Sequence, residues 1–448
     1  MPRKLVLVVI DGLTPAAFEA AVASGDAPAL GLLHEAGTYR RAVSTFPSLT
    51  PVCLSSIATG AHPDVHRIPH LVWWHRQEGR LVEYGSSFAA LRAAGFSRAL
   101  RDTIVNMNAE HLSSGATTVF EALEDAGLVP AAVNFTAYRG RTLHRATLPG
   151  VPAVRGPRRF FFFNLFESDP TGAPLAVRNR AAGTIDAYAA AVGRWLVTRD
   201  AFDFLLLYLS DYDFASHLHG PDGAGEALAR SDTAIGALVD AAGGPPDFLE
   251  RYAVVLLSDH GQTPVHEVAR LADPLADAPG VLVTASNRAA MAYRLNADSP
   301  PPRALAERLD DVAAAEVVLF RDGDEAVARR GGAELRFAPG AAGFELDGDR
   351  GVLDHPRALE RSWAALANPN AGEVLVSAAP GWEFADLAGR HHAGGGSHGS
   401  LTAGDSEVPV LTVGVDGVVE SITDVAPLVL RHFGVEPPAY ARPLARVA

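Results

Sequence analysis

Three stretches of the chain are apolar at nearly every position, and each is followed within four residues by an aspartate. They are residues 5–10, 202–209 and 252–257. Continuous apolar runs of this length are typical of strands buried on both faces of a parallel sheet. Segments with helical periodicity separate them, at residues 180–198 and 223–242. The pattern therefore predicts an α/β fold, a doubly wound, mainly parallel sheet flanked by helices.

The remaining segments of this core follow the same alternation of strand and helix. A helix over residues 15–36 is expected to break at Pro28, because proline cannot continue the hydrogen-bond ladder. The other predicted elements are a helix at 116–126, a strand at 129–135, a strand at 408–414 and a helix at 423–433.

Residues 275–380 have a different character, with short apolar runs joined by turns rich in glycine and proline. This pattern predicts an inserted α+β cap, while residues 1–274 and 381–448 form the core. The elements predicted within the cap are strands at 290–295, 316–320, 334–338 and 373–377 and a helix at 302–311.

Residues 44–60 end in a predicted helix that begins beside a threonine. Pro51 suits the first helical position, Gly60 suits the C-terminal cap, and Thr50 then occupies the N-cap position. A helix N-terminus attracts anions such as phosphate. Two interpretations remain open, since Thr50 either only caps the helix or delivers its hydroxyl to a reacting anion.

Residues 61–115 are rich in histidine, tryptophan and arginine and are difficult to assign. They form either a lip around a pocket or a surface excursion whose tryptophans pack locally.

The amino-acid composition limits which classes of binding partner the protein can have. Acidic residues outnumber basic ones by 52 to 38, so the formal charge is −14. Such a charge argues against nucleic acid and against anionic membranes as general partners. If the substrate is anionic, a metal or local arginines must supply positive charge. The composition indicates nothing about the oligomeric state.

Single residues exclude further classes of chemistry. Lys4 is the only lysine, which excludes Schiff-base chemistry and a Walker-type phosphate loop. Cys53 is the only cysteine, so neither an intrachain disulfide nor a cysteine-rich zinc site is expected. The apolar run Leu5–Ile10 is too short for a signal peptide or a membrane span, which predicts a cytoplasmic protein.

Carboxylates and histidines occur at positions that suit metal ligands. Asp213 and His217 are four residues apart, which places them on one face of a helix. Asp259 and His260 are adjacent at a strand end, and His398 lies in a loop of small residues. Carboxylate and imidazole without thiolate suit zinc or manganese in a catalytic site better than a structural zinc site.

In this order, the motifs resemble the alkaline phosphatase superfamily, and most closely its nucleotide pyrophosphatase/phosphodiesterase branch. The resemblance spans nearly the whole chain and is weakest in the cap. The motifs that carry it are Val9-Ile10-Asp11-Gly12, Phe46-Pro47-Ser48-Leu49-Thr50, Thr59-Gly60, Asp213-x-x-x-His217-x-x-Gly220-Pro221, Ser258-Asp259-His260-Gly261, Gly396-Ser397-His398-Gly399 and Ile422-Thr423-Asp424-Val425-Ala426-Pro427.

The resemblance implies an alkaline-phosphatase-like fold with two divalent metal ions, zinc or else manganese. It implies that one ion is held by Asp213, His217 and His398. The other would be held by Asp11, Thr50, Asp259 and His260. Thr50 would be the nucleophile, forming a phosphothreonine intermediate during cleavage of phosphodiester or pyrophosphate bonds. The resemblance thus implies a small-molecule phosphate ester substrate that is nucleotide-like.

Two positions depart from the family pattern. Pro51 has no N–H to offer to a phosphate, and the tract His66-Arg67-Ile68-Pro69-His70-Leu71 lacks the asparagine that binds a phosphate oxygen in relatives. Five residues are candidates for that role: His70, His75, Asn106, Asn108 and Asn134. The same site suits a phosphomonoesterase or a phosphonate hydrolase as an alternative, and a non-catalytic metal-binding scaffold as a second alternative.

Overall fold

The computed structural model describes residues 2–85, 92, 95–169, 171–172, 184–387 and 391–441. In chain order, the strands are β1 (Lys4–Ile10), β2 (Thr38–Val43), β3 (Val72–His75), β4 (Arg80–Glu83), β5 (Pro130–Val133), β6 (Thr142–His144), β7 (Val154–Gly156), β8 (Arg159–Phe162), β9 (Phe166–Ser168), β10 (Phe204–Leu209), β11 (Tyr252–Leu257), β12 (Thr263–Ala269), β13 (Val281–Ser286), β14 (Ala289–Arg294), β15 (Ala315–Asp322), β16 (Glu325–Arg330), β17 (Ala333–Gly340), β18 (Gly343–Gly348), β19 (Val374–Ala378), β20 (Gly381–Phe384), β21 (Gly396–Ser397) and β22 (Glu407–Val413).

Helices connect and cover these strands. The α-helices are Pro15–Ser24, Pro28–Ala36, Thr50–Thr59, Pro63–His66, Phe96–Arg101, Val119–Asp125, Ile185–Thr198, Asp211–His219, Gly225–Ala241, Pro245–Arg251, Pro302–Asp310, Ala358–Ala367, Ala403–Ser406 and Val425–His432, and Asp102–His111 is a π-helix. The predicted break at Pro28 is confirmed. Of the predicted helix 180–198, residues 180–183 lie outside the described residues.

The central sheet has eight strands in the order β2-β22-β11-β1-β10-β5-β8-β9. β1 lies in the middle and pairs in parallel with β11 on one side and β10 on the other. β22 and β2 extend one edge in antiparallel fashion, and β9 closes the other edge against β8. The predicted doubly wound, mainly parallel α/β sheet is confirmed.

Both faces of this sheet are covered by helices, which explains the continuous apolar sequences of its strands. Along β1, Leu5, Leu7 and Val9 belong to one buried cluster. Val6, Val8 and Ile10 belong to the other. Because successive side chains of a strand point to opposite faces, every buried position of β1 from Leu5 to Ile10 must be apolar, whereas Lys4 at its start is only partly buried.

A second, antiparallel sheet is built from residues 281–378, in the order β13-β14-β19-β15-β16-β17-β18. It falls within the segment 275–380, whose boundaries as an inserted cap remain a prediction. The sequence predicted four of its strands but missed β13, β16 and β18. β16 and β18 contain charged residues and lie beyond tight glycine turns, so their apolar signal is weak.

The segment 61–115 contains features of both earlier interpretations. Leu71, Tyr84, Thr103 and Met107 line the cavity described below, as expected of a lip. Trp73 is completely buried, as expected of a tryptophan that packs locally. No helix in the described part of the chain is long and apolar enough to cross a membrane.

Candidate active site

Three aspartates meet at one edge of the central sheet. Because β11, β1 and β10 are adjacent and parallel, their carboxyl ends lie side by side. Asp11 directly follows β1, Asp259 follows β11 by two residues, and Asp213 lies in the first turn of the helix after β10. All three are at least 92% buried. The ends of parallel strands are where ligands bind in open α/β sheets.

Thr50 approaches this edge from the start of its own helix. The predicted N-cap role is wrong by one residue, since the helix begins at Thr50 and Leu49 occupies the cap position without a side-chain hydrogen bond. The hydroxyl is therefore not used to cap the helix, and its Oγ1 lies 3.1 Å from Nε2 of His260. Pro51 follows in the first turn, as predicted.

His260 is central to the first group of candidate ligands. Its Nε2 lies 3.2 Å from Oδ1 of Asp11 and 3.5 Å from Oδ2 of Asp259. Asp11, Asp259 and His260 can each direct one ligand atom at a common point, with all three atoms within 4.8 Å of one another. The structure thus brings together the predicted members of this group, and Thr50 lies beside them.

Asp213, His217 and His398 form the second predicted group. Oδ2 of Asp213 lies 3.4 Å from Nε2 of His217, and Oδ1 lies 3.9 Å from Nε2 of His398. The tightest cluster on this side contains His260 rather than His217, together with Asp213 and His398. His217 lies next to it, its ring 5.2 Å from that of His398.

Backbone carbonyls fix the orientation of all three histidines. Nδ1 of His217 donates to the carbonyl oxygen of Gly396 at 2.8 Å, and Nδ1 of His260 donates to that of Gly261 at 3.0 Å. Nδ1 of His398 donates to the carbonyl of Ser48 at 2.8 Å. Since a carbonyl oxygen only accepts, each Nδ1 carries hydrogen, and Nε2 is the nitrogen presented to the centre. This is the usual arrangement of metal-binding histidines.

The buried carboxylates have oxygen atoms that accept no hydrogen bond and lie against the His260 imidazole. Oδ1 of Asp11 and Oδ2 of Asp259 are buried and accept no hydrogen bond. Burial and the charge of Asp259 raise the pKa of Asp11 to about 7. Burial opposes the charged form of His260, yet Asp259 and Asp11 raise its pKa to about 10. Two buried carboxylates that share one imidazole, and the raised pKa values of Asp11 and His260, indicate that the cluster favours a bound cation, so the residues fit a divalent metal.

Neighbouring side chains that the sequence analysis did not single out support the carboxylates. The hydroxyl of Tyr208 donates to Oδ2 of Asp11, and the amide of Gln262 donates to Oδ1 of Asp213. Gly12, with φ of +69°, passes so close that a Cβ there would lie 2.8 Å from Oδ1 of Asp213. Any larger residue would displace this carboxylate, which explains the Asp11-Gly12 pair.

A cavity of about 430 Å³ opens onto this cluster and is lined by Asp11, Thr50, Asp213, His217 and His398, among others. Its volume suits a small molecule. A larger cavity of about 940 Å³ lies elsewhere and contains none of the predicted site residues.

The five residues suggested as phosphate-binding substitutes do not line this cavity. Asn134, for example, is fully buried and accepts a hydrogen bond from the N–H of Phe163. Asn287, which the sequence analysis missed, does line it. Asn287 lies in the turn between β13 and β14 with φ of +56°, and its Nδ2 is 2.9 Å from Nε2 of His398.

His392 also borders the site. Its ring stacks on that of His217 at 4.1 Å, and its Nδ1 lies 3.0 Å from Oε2 of Glu383. It therefore packs against a candidate ligand without belonging to either cluster of ligand atoms.

Comparison with known proteins agrees with this geometry. The family model described as type I phosphodiesterase/nucleotide pyrophosphatase matches residues 5–401. None of the curated protein sequences compared with the chain matches it significantly.

Two solved structures have the same fold. Phosphonoacetate hydrolase from Sinorhizobium meliloti 1021, in complex with phosphonoformate, superposes with a TM-score of 0.63 and 19% identity over 96% of each chain. Murine ectonucleotide pyrophosphatase/phosphodiesterase 5 superposes with a TM-score of 0.62 and 14% identity, covering 97% of this chain and 96% of its own.

Proposed function

The chain belongs to the type I phosphodiesterase/nucleotide pyrophosphatase family, and from this premise we propose that it hydrolyses small phosphodiesters through a phosphothreonine intermediate on Thr50. The observation that carries the proposal is the position of the Thr50 hydroxyl. It lies 3.1 Å from Nε2 of His260, which itself belongs to both clusters of candidate ligands.

Two divalent metals would be held by the two groups already described. Asp213, His217 and His398 would hold one, and the other would be held by Asp11, Asp259, His260 and Thr50. Bound metals would lower the pKa of the Thr50 hydroxyl and offset negative charge on the phosphoryl group. Oxygen and imidazole donors suit zinc or manganese. Cys53, which is buried, lies outside both clusters.

Thr50 and the three histidines would have separate roles in the reaction. The oxygen of Thr50 forms a bond to phosphorus while the bond to the departing alcohol breaks. Water next cleaves the ester on Thr50, which restores the hydroxyl and releases a phosphate monoester. Backbone carbonyls hold the three histidines in one orientation, so little reorganisation is needed during either step.

The test compares a diester with its matching monoester. Initial rates are measured on methyl 4-nitrophenyl phosphate and on 4-nitrophenyl phosphate, with zinc or manganese supplied and then removed by a chelator. We expect diester cleavage that exceeds monoester cleavage and disappears with the metal. Nucleotide diesters and pyrophosphates then extend the series towards nucleotide-like substrates.

Other outcomes favour the alternatives. Faster cleavage of the monoester, or of phosphonoacetate, would retain the metal site and Thr50 but contradict the diesterase assignment. A protein that binds two metals and cleaves none of these substrates would support the non-catalytic scaffold.

A further inference from the structure

The helix that carries Asp213 and His217 also presents two large apolar side chains to solvent. Phe214 is 57% exposed and Leu218 is 67% exposed. Each follows a candidate ligand by one residue, so the apolar pair lies about 100° around the helix from the ligand pair and about 1.5 Å further along its axis. All four side chains line the cavity that contains Thr50.

A third exposed apolar side chain, Phe163, reaches this cavity from the turn between β8 and β9. Its backbone is left-handed, with φ of +44°, a conformation that is costly for a bulky residue. The N–H of Phe163 donates to Oδ1 of the buried Asn134 at 3.0 Å, and its ring packs edge-on against Phe162. The fold thus supports an unfavourable conformation that keeps an aromatic ring at the cavity.

These three side chains are unusual in their clustering. Seven large hydrophobic side chains are exposed in the described part of the chain, and Phe163, Phe214 and Leu218 are the three that line this cavity. Single exposed hydrophobic residues need no explanation, but a group that borders a reactive cluster is characteristic of a ligand-binding surface.

On the premise of the proposed function, we propose that Phe163, Phe214 and Leu218 form an apolar rim that binds an alkyl or aryl group of the substrate. The substrate class is then a singly charged phosphodiester in which one ester group is bulky and apolar.

The test uses O-alkyl methylphosphonates, singly charged diester analogues with one variable chain, from methyl to octyl. Their dissociation constants for the metal-loaded protein are measured by calorimetry, which does not depend on turnover. Affinity should rise about twofold to threefold with each added methylene, somewhat less than full burial would give because the rim remains partly exposed to water.

The variants are Phe214→Ser with Leu218→Ser, and Leu218→Ser alone. Both positions are exposed, so the variants should fold, which a melting curve checks. Leu143→Ser is the matched control, because Leu143 is 53% exposed but does not line the cavity. The double variant should lose most of the dependence on chain length, the single variant part of it, and the control none.

Two results overturn the inference: affinity that is independent of chain length in the natural protein, or a dependence that the double variant retains in full. Failure of the proposed function appears separately, as binding of the analogues without cleavage of methyl 4-nitrophenyl phosphate.

Discussion

The imidazole rings of His260 and His398 stack on each other, with centroids 3.6 Å apart and planes inclined by 8°. His260 follows β11 of the central sheet, whereas His398 comes from the glycine-rich loop 138 residues later. Each ring is held at Nδ1 by a backbone carbonyl, of Gly261 and Ser48 respectively. This stack joins the two groups of candidate ligands into one continuous cluster.

His217 and His219 provide a matched pair for testing metal binding. Both lie on the helix Asp211–His219, but only His217 lines the cavity and contacts Asp213. His217→Ala should lower the bound metal from about two ions per chain towards one, because a three-ligand site loses one of its donors. His219→Ala should leave the ratio unchanged. Elemental analysis after gel filtration measures both, and equal ratios in the two variants would exclude His217 as a ligand.

The Tyr208 hydroxyl should increase the metal affinity of the site without being a metal ligand itself. Its buried hydroxyl donates to Oδ2 of Asp11. Tyr208→Phe removes this hydrogen bond while preserving the ring, and should weaken metal affinity about tenfold to a hundredfold. Competition with a chelator of known affinity measures the change. An unchanged affinity would mean that the hydrogen bond only stabilises the fold, and the melting temperature would then fall without any loss of metal.

Asn287 should contribute to turnover. Its amide lies in the cavity beside His398 and offers an N–H donor to a phosphoryl oxygen. Asn287→Gly removes the side chain and tolerates φ of +56°. We expect kcat to fall roughly tenfold to a hundredfold, since a lost donor weakens stabilisation of the transition state. A steady-state comparison at equal metal content checks this, and an unaltered kcat would exclude the role.

The stability of the fold should decrease on acidification partly through His70. Burial lowers the pKa of this fully buried ring from 6.5 to about 4. The unfolded chain therefore binds a proton that the folded chain refuses. The contribution of the neutral ring is complete above pH 6.5 and disappears as the pH falls to about 4, a change of about 3 kcal/mol.

Urea unfolding at several pH values, in the presence of a chelator, measures this effect. In His70→Asn, which keeps an acceptor for the N–H of Val72, the free energy of unfolding should depend less steeply on pH in that interval. If the free energy of unfolding of His70→Asn depends on pH as steeply as that of the natural protein, groups other than His70 cause the acid sensitivity.

The central sheet and its aspartates were predictable because strands that are buried on both faces have long, continuous apolar sequences. β10 and β11 are apolar throughout and β1 is apolar from Leu5 to Ile10, and the carboxyl ends of adjacent parallel strands must lie together. Asp11 and Asp259 were therefore candidates before their distances were known. His398 was identified as a candidate from the order of the motifs, because its loop has no hydrophobic periodicity.

Other parts of the site depend on tertiary contacts that have no local pattern. Tyr208 reads as one more apolar position of β10, although its hydroxyl contacts Asp11. Asn287 occupies a hairpin turn in the second sheet, 111 residues from its partner His398. Thr50 was placed one residue too early, at the N-cap position, because a threonine before proline suits that position as well as the first residue of the helix.

The most direct test of the account is whether Thr50 becomes covalently modified during turnover. The metal-loaded protein is mixed with methyl 4-nitrophenyl phosphate, quenched in acid within milliseconds, digested and analysed by mass spectrometry. The account predicts a methylphosphoryl group on the peptide that contains Thr50, none in Thr50→Ala, and a loss of activity of about a thousandfold in that variant. Cleavage of the diester at an undiminished rate by Thr50→Ala would contradict it.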